Sequence, residues 1–136
     1  MNYARAFAAG FVSTLVFHQL VILAFHLLGV FPRAPWDFTP VPPLGVPAVL
    51  SLAFWGGVWG IVLWPLLRGI SGTAYWVRAI VLGAIGPTLV AFLVVVPLKG
   101  RGIITDPKLW VGGLIVNGAW GYGLALLLRL LKRVGL

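Results

Sequence analysis

Four apolar runs follow one another along the chain, Phe7 to Val30, Val46 to Leu67, Val77 to Leu98 and Leu109 to Leu128, with charge confined almost entirely to their ends. Each is close to the ~20 residues that carry an α-helix across ~30 Å of hydrocarbon. In lipid, every backbone N–H and C=O must find a partner within the spanning element, and these runs lack the alternation of a barrel strand. Helix is therefore the economical conformation for all four. The segments between them are too short for a separate soluble domain, so residues 1–136 read as a single integral membrane domain. Composition agrees: 61% of residues are hydrophobic and 9% charged, against ~45–50% and ~25% in an ordinary soluble domain. The expected fold is an all-α membrane protein, a four-transmembrane-helix bundle.

Ten Lys and Arg stand against two acidic residues, a formal net charge of +8. A basic balance at the ends of apolar runs favours anionic lipid headgroups as partners. The basic residues form no continuous stripe, which argues against nucleic acid. Cysteine is absent, so disulfides, thiolate metal sites and cysteine nucleophiles are excluded. The N-terminal run is too long for a secretory h-region of ~7–15 residues and leaves through Phe31, Pro32 and Arg33, so it reads as a retained span. Arg5, Arg68, Arg78, Arg129, Lys132 and Arg133 fall on one side of the four spans, and Arg33, Lys99, Arg101 and Lys108 on the other. That bias places both termini in the cytoplasm of a bacterial-type inner membrane, although a difference this small also leaves insertion in both orientations open.

Spans 2 and 4 echo each other. Gly57-Val-Trp59-Gly60 with Leu63, Leu66, Leu67 and Arg68 lines up with Gly118-Ala-Trp120-Gly121 with Leu124, Leu127, Leu128 and Arg129. The match suggests two tandem helical hairpins repeated in parallel, unlike the inverted repeats of several transporter folds. Small residues recur at helical spacing on every span, with Gly10, Gly56, Gly60, Gly83, Gly113 and Gly121 as the principal close-approach positions. Helices in lipid associate through such contacts because leucine gains nothing by leaving hydrocarbon. A second stripe on span 4, Gly112, Ala119 and Gly123, offers a face for another helix or another chain.

The first loop, Phe31 to Gly45, carries five prolines around Trp36 and Asp37. It is expected to be stiff and extended, either a plain connector or a strap across one mouth of the bundle. Polar residues gather near the span midpoints: His18 and Gln19, Thr88 beside Pro87, and Asn117. Pro87 has no N–H, which leaves the Gly83 carbonyl without its helical donor in the same layer. Intramembrane polar groups are costly unless paired. This midplane layer of His18, Gln19, Thr88 and Asn117 reads either as interhelical glue or as a small polar pocket lined by Trp55, Trp59 and Trp120. The third loop, with Lys99, Arg101 and Lys108, reads as an anchored turn or as a headgroup site.

Catalysis finds little footing. His18 and His26 are eight positions apart, ~12 Å of rise and ~80° of rotation, so they do not share one haem iron. A metal site would need more than two His and distant Asp residues give, and no nucleophile elbow is present. Both acids lie in loops, which weakens proton-coupled antiport. By length and span count alone, the chain is similar to small multidrug exporters and fluoride channels, without the membrane-embedded Glu of the first. The expected function is a small non-catalytic multi-pass protein with no cofactor, acting as a homo-oligomer or as an accessory subunit packed through its glycine seams. The alternative is a small-solute channel or transporter that uses the midplane layer.

Overall fold

The computed structural model describes all residues, 1–136. Four helices are long and apolar enough to cross a membrane: α1 Tyr3–Leu27, α2 Ala48–Leu67, α3 Gly72–Leu98 and α4 Pro107–Arg133. Caps written in the sequence set several of their ends. The Asn2 side chain accepts from the Arg5 N–H at 3.0 Å and opens α1. Asp106 accepts from the Lys108 N–H at 2.9 Å, ahead of Pro107 in the first turn of α4. α3 and α4 outrun their apolar runs, and α1 starts ahead of its own, for one reason. Hydropathy marks the lipid-compatible length, whereas backbone hydrogen bonding continues into polar turns such as Gly72–Trp76 and Arg129–Arg133 until a cap stops it.

Within the first loop, β1 (Pro40–Val41) pairs antiparallel with β2 (Val46–Pro47), Pro40 opposite Pro47 and Val41 opposite Val46. The loop is therefore folded back as a small hairpin, where the proline content alone suggested an extended connector. It is tied to the start of α2: the N–H groups of Ala48 and Val49 donate to the carbonyls of Thr39 and Asp37 at 2.9 and 2.8 Å.

The tightest helix pairs are α1 with α2 and α3 with α4, and the two hairpins meet mainly along α1 and α4. Missing side chains set both crossings. A Cβ on Gly10 would collide with the Gly56 carbonyl, one on Gly60 with the Ala6 carbonyl, and one on Gly56 with Thr14 Oγ1. A Cβ on Gly121 would collide with the Ala79 carbonyl, and one on Gly83 would lie 2.8 Å from the Gly121 Cα. Gly113 faces the Phe92 ring of α3. All six glycines singled out for close approach thus serve contacts within this chain. The second stripe on α4 is also largely occupied, Gly112 by Phe31 and Gly123 by Phe17 and Ser13.

The apolar core lies toward the end that carries the chain termini. Ala6 and Ala9 of α1, Leu63 and Leu67 of α2, Tyr75 and Ala79 of α3, and Trp120, Leu124, Ala125 and Leu128 of α4 form one buried cluster. Arg68 stacks on Trp64, and Arg129 on Tyr75 and Trp76, at this end. Toward the opposite end the packing thins: no residue of α3 from Ala91 to Leu98 is fully buried, and Leu98 is 81% exposed. Of the buried polar side chains, Ser13 and Thr14 sit near the middle of α1, and Gln19 and Thr88 lie beyond the middle of their helices on that side.

Candidate polar site

One turn of α1, Thr14–His18, is wound as π-helix. The Gln19 N–H there reaches back to the Thr14 carbonyl rather than to that of Leu15, so the Leu15 oxygen loses its ordinary helical donor. Trp36 takes it up. Its indole Nε1–H donates to the Leu15 carbonyl at 2.9 Å, and its backbone N–H donates to Gln19 Oε1 at 2.7 Å. The first loop therefore folds back against α1 about 12–18 Å short of the Leu27 end, at 1.5 Å per residue. Trp36 holds a φ of 51°, the left-handed region, which costs a non-glycine residue roughly 1–2 kcal/mol. Two hydrogen bonds to one turn of α1 hold it there.

Proton accounting continues the row inward. Since Gln19 Oε1 accepts from Trp36, its amide nitrogen is the donor to His18 Nδ1, 3.1 Å away. An accepting Nδ1 leaves the ring proton on Nε2. The Asn117 side chain lies beside His18, and its Nδ2 donates to Thr88 Oγ1 at 2.8 Å. Thr88 in turn donates to the Gly113 carbonyl at 3.3 Å. The four polar residues of the midplane layer are thus gathered into one place, joining α1, α4 and α3, with the first loop as a fifth participant. Every buried side-chain nitrogen and oxygen has a hydrogen-bond partner.

Below this row the bundle is shut. Ser13 donates to the Trp120 carbonyl at 2.7 Å, while Trp120 Nε1–H donates to the Gly10 carbonyl at 3.1 Å, which also accepts from Thr14 Oγ1. Trp120, 2% exposed, is a plug between α1 and α4. The expectation that three tryptophans wrap the midplane residues needs correcting. Trp55 is 58% exposed and points away from the bundle, because its position one residue before Gly56 turns it off the face that meets α1. Trp59 packs on Gly86 of α3.

The third loop also divides differently from the sequence pattern. Arg101 joins the first loop in lining a groove of about 700 Å³, together with Arg33, Trp36, Asp37, Thr39 and Ala48; Lys99 and Lys108 do not line it. The Thr39 side chain and then its N–H, 2.9 Å away, donate to the Asp37 carboxylate, and with Arg33 nearby they hold its carboxyl below the usual carboxylate range. His26 is satisfied locally, its Nδ1 3.0 Å from the Phe31 carbonyl.

Sequence reasoning missed the Trp36 contacts and the Ser13–Trp120–Gly10 exchange. The first has a faint signal, a tryptophan rigidly framed by prolines. The second has none, because backbone acceptors carry no sequence label. Together these features define a four-helix bundle with helices suited to a membrane, a dry core at one end and a hydrogen-bonded polar interior at the other. In comparisons with known proteins, no family model matches the chain, and no curated protein or solved structure is significantly similar to it.

Proposed function

We propose that this chain is a non-catalytic, multi-pass membrane protein that admits a small polar solute along the row Gln19–His18–Asn117–Thr88, with the first loop as its closure. The observation that carries this reading is the pair of hydrogen bonds from Trp36 to Leu15 and Gln19. They make the polar interior continuous with a loop, and release of that loop would offer the same groups to a solute. The closed arrangement corresponds to a state in which protein donors and acceptors stand in for the solute's. We place the protein in a bacterial inner membrane with both termini cytoplasmic, so the loop faces outward. The test is flux in liposomes, followed for protons, potassium and chloride. The reading predicts a flux that Trp36→Ala raises and His18→Ala or Asn117→Ala abolishes, with all three variants still monodisperse. No flux of any of the three ions, or of neutral glycerol followed by osmotic swelling, above that of empty liposomes, in wild type or Trp36→Ala, would overturn the reading.

The second reading is the one in which the chain works by association, as a homo-oligomer or an accessory subunit of a larger membrane complex. A specific surface favours it. Ile80, Ala84, Ile115, Gly118 and Ala119 line an open apolar groove of about 420 Å³ along α3 and α4, and a Cβ added at Gly118 meets only ordinary contacts. The six interior glycines are already engaged, so association of this kind would use the groove at Gly118 instead. Gly118→Leu separates the readings: it lowers the oligomer or complex mass if association is the function and leaves flux unchanged if conduction is.

A further inference from the structure

We infer that the groove between the first and third loops is a binding site for a singly charged phosphate group, of the kind carried by an anionic lipid headgroup. Two arginines far apart in sequence, Arg33 of the first hairpin and Arg101 of the second, line the same groove, and both residues are exposed. Guanidinium forks match phosphate oxygens in a bidentate way that ammonium groups do not. The groove's charge balance selects the ligand. Asp37 is its one carboxylate and stays ionised through Thr39 and Arg33, so Arg33, Arg101 and Asp37 leave one positive charge. The net single negative charge of an anionic phosphodiester headgroup neutralises it, and a zwitterionic headgroup, whose ammonium cancels its own phosphate, does not. A doubly charged phosphate would leave an excess beside Asp37. A volume of about 700 Å³ lies within the ~300–1,000 Å³ of ordinary small-ligand sites.

Position supports a lipid as the source. Exposed apolar side chains flank Arg101 in sequence, Leu98 at the end of α3 and Ile103 within the third loop, and Trp110 donates to the Ile104 carbonyl at 2.8 Å, an aromatic placement suited to the headgroup level. A phosphate held by Arg33 and Arg101 links the two hairpins at the end where no residue of α3 is fully buried. The same residues flank Trp36, so the bound headgroup fastens the first loop in its closed position. This site does not depend on which solute, if any, the interior admits.

The experiment is titration of the full chain in nanodiscs of phosphatidylcholine with phosphatidylglycerol, with bound lipid counted by native mass spectrometry and loop protection followed by hydrogen exchange at residues 33–41. Phosphatidylglycerol is expected to bind selectively and slow exchange in the loop. Arg33→Ala and Arg101→Ala should each weaken binding by about tenfold, while Lys99→Ala and Lys108→Ala, outside the groove, leave it unchanged. Competition by millimolar inorganic phosphate, at a pH below its second ionisation where it is the monoanion, supports the phosphate site and identifies the free ion as a second source. Equal retention of phosphatidylcholine, or undiminished binding in both arginine variants, overturns the assignment. Because the readout is lipid retention, its failure is separable from any failure of the flux assay.

Discussion

The two ends of the bundle solve the same packing problem with different materials. Near the termini, α1 to α4 converge on alanine, leucine and the Tyr75 and Trp120 rings, and polar contacts are few: Tyr75 Oη to the Ala125 carbonyl at 2.6 Å, and the Ser13–Trp120–Gly10 exchange where this core meets the middle of the bundle. Toward the loops, the interior holds Gln19, His18, Thr88 and Asn117, and a piece of loop completes what helix packing leaves open. The difference matters because leucine brings no hydrophobic gain to a helix contact in lipid, so contact geometry decides stability there. A dry end built on backbone contact is rigid. A polar end whose partners are worth ~0.6 kcal/mol each in lipid is easily rearranged, the property a gate or a binding surface needs.

This contrast can be broken most severely at the crossings. Gly10→Leu and Gly121→Leu drive a side chain into the backbone carbonyls of Gly56 and Ala79, which cannot rotate away. Each should cost about 3 kcal/mol or more and abolish the monodisperse protein on size exclusion, whereas Gly118→Leu should leave the monomer folded. Trp120→Ala, which empties the plug, is expected to lower stability by about 3 kcal/mol in thermal unfolding followed by tryptophan fluorescence. Trp36→Phe keeps an aromatic ring, though a smaller one, and loses the donor to Leu15. It should cost about 1 kcal/mol, visible as faster hydrogen exchange confined to the first loop and residues 14–19. Thr88→Val is milder, about 0.6 kcal/mol, with nearly unchanged unfolding and a changed flux if the proposed pathway holds.

The smallest effect concerns pH. The Asp37 carboxyl is depressed by its Thr39 bonds and by Arg33, so its contribution to loop order is present above the ordinary carboxylate range and fades as pH falls through the lowered value. Loop protection should therefore persist at the pH where free carboxylates begin to protonate and be lost only below it. In Asp37→Asn this acid step should be missing.

Much of this was legible in the sequence. The four helices follow from run length, and the positions of close approach from Gly10, Gly56, Gly60, Gly83 and Gly121 at helical spacing, because a missing Cβ has one structural meaning wherever backbones must touch. The grouping of His18, Thr88 and Asn117 follows from span midpoints. What the sequence could not convey was partnership through backbone oxygens. Leu15 becomes an acceptor only because a π-turn frees it, and nothing in the letters Thr14–His18 announces that turn. Trp55 and Trp59 look alike in sequence and differ by a rotation about the helix that only the crossing with α1 and α3 decides. Arg101 resembles Lys99 and Lys108 until the first loop folds against it.

Because the chain has no cysteine, accessibility of introduced thiols tests the asymmetry most directly. Cysteines placed singly at Gln19, Asn117, Ala9 and Leu124, in the wild-type and Trp36→Ala backgrounds, would be challenged in liposomes with a membrane-impermeant thiol reagent. The account predicts slow labelling at positions 19 and 117 that accelerates when Trp36 is removed, and none at 9 and 124 in either background. Labelling at 19 and 117 that ignores Trp36, or labelling at 9 and 124 as fast as at 19 and 117, would contradict it.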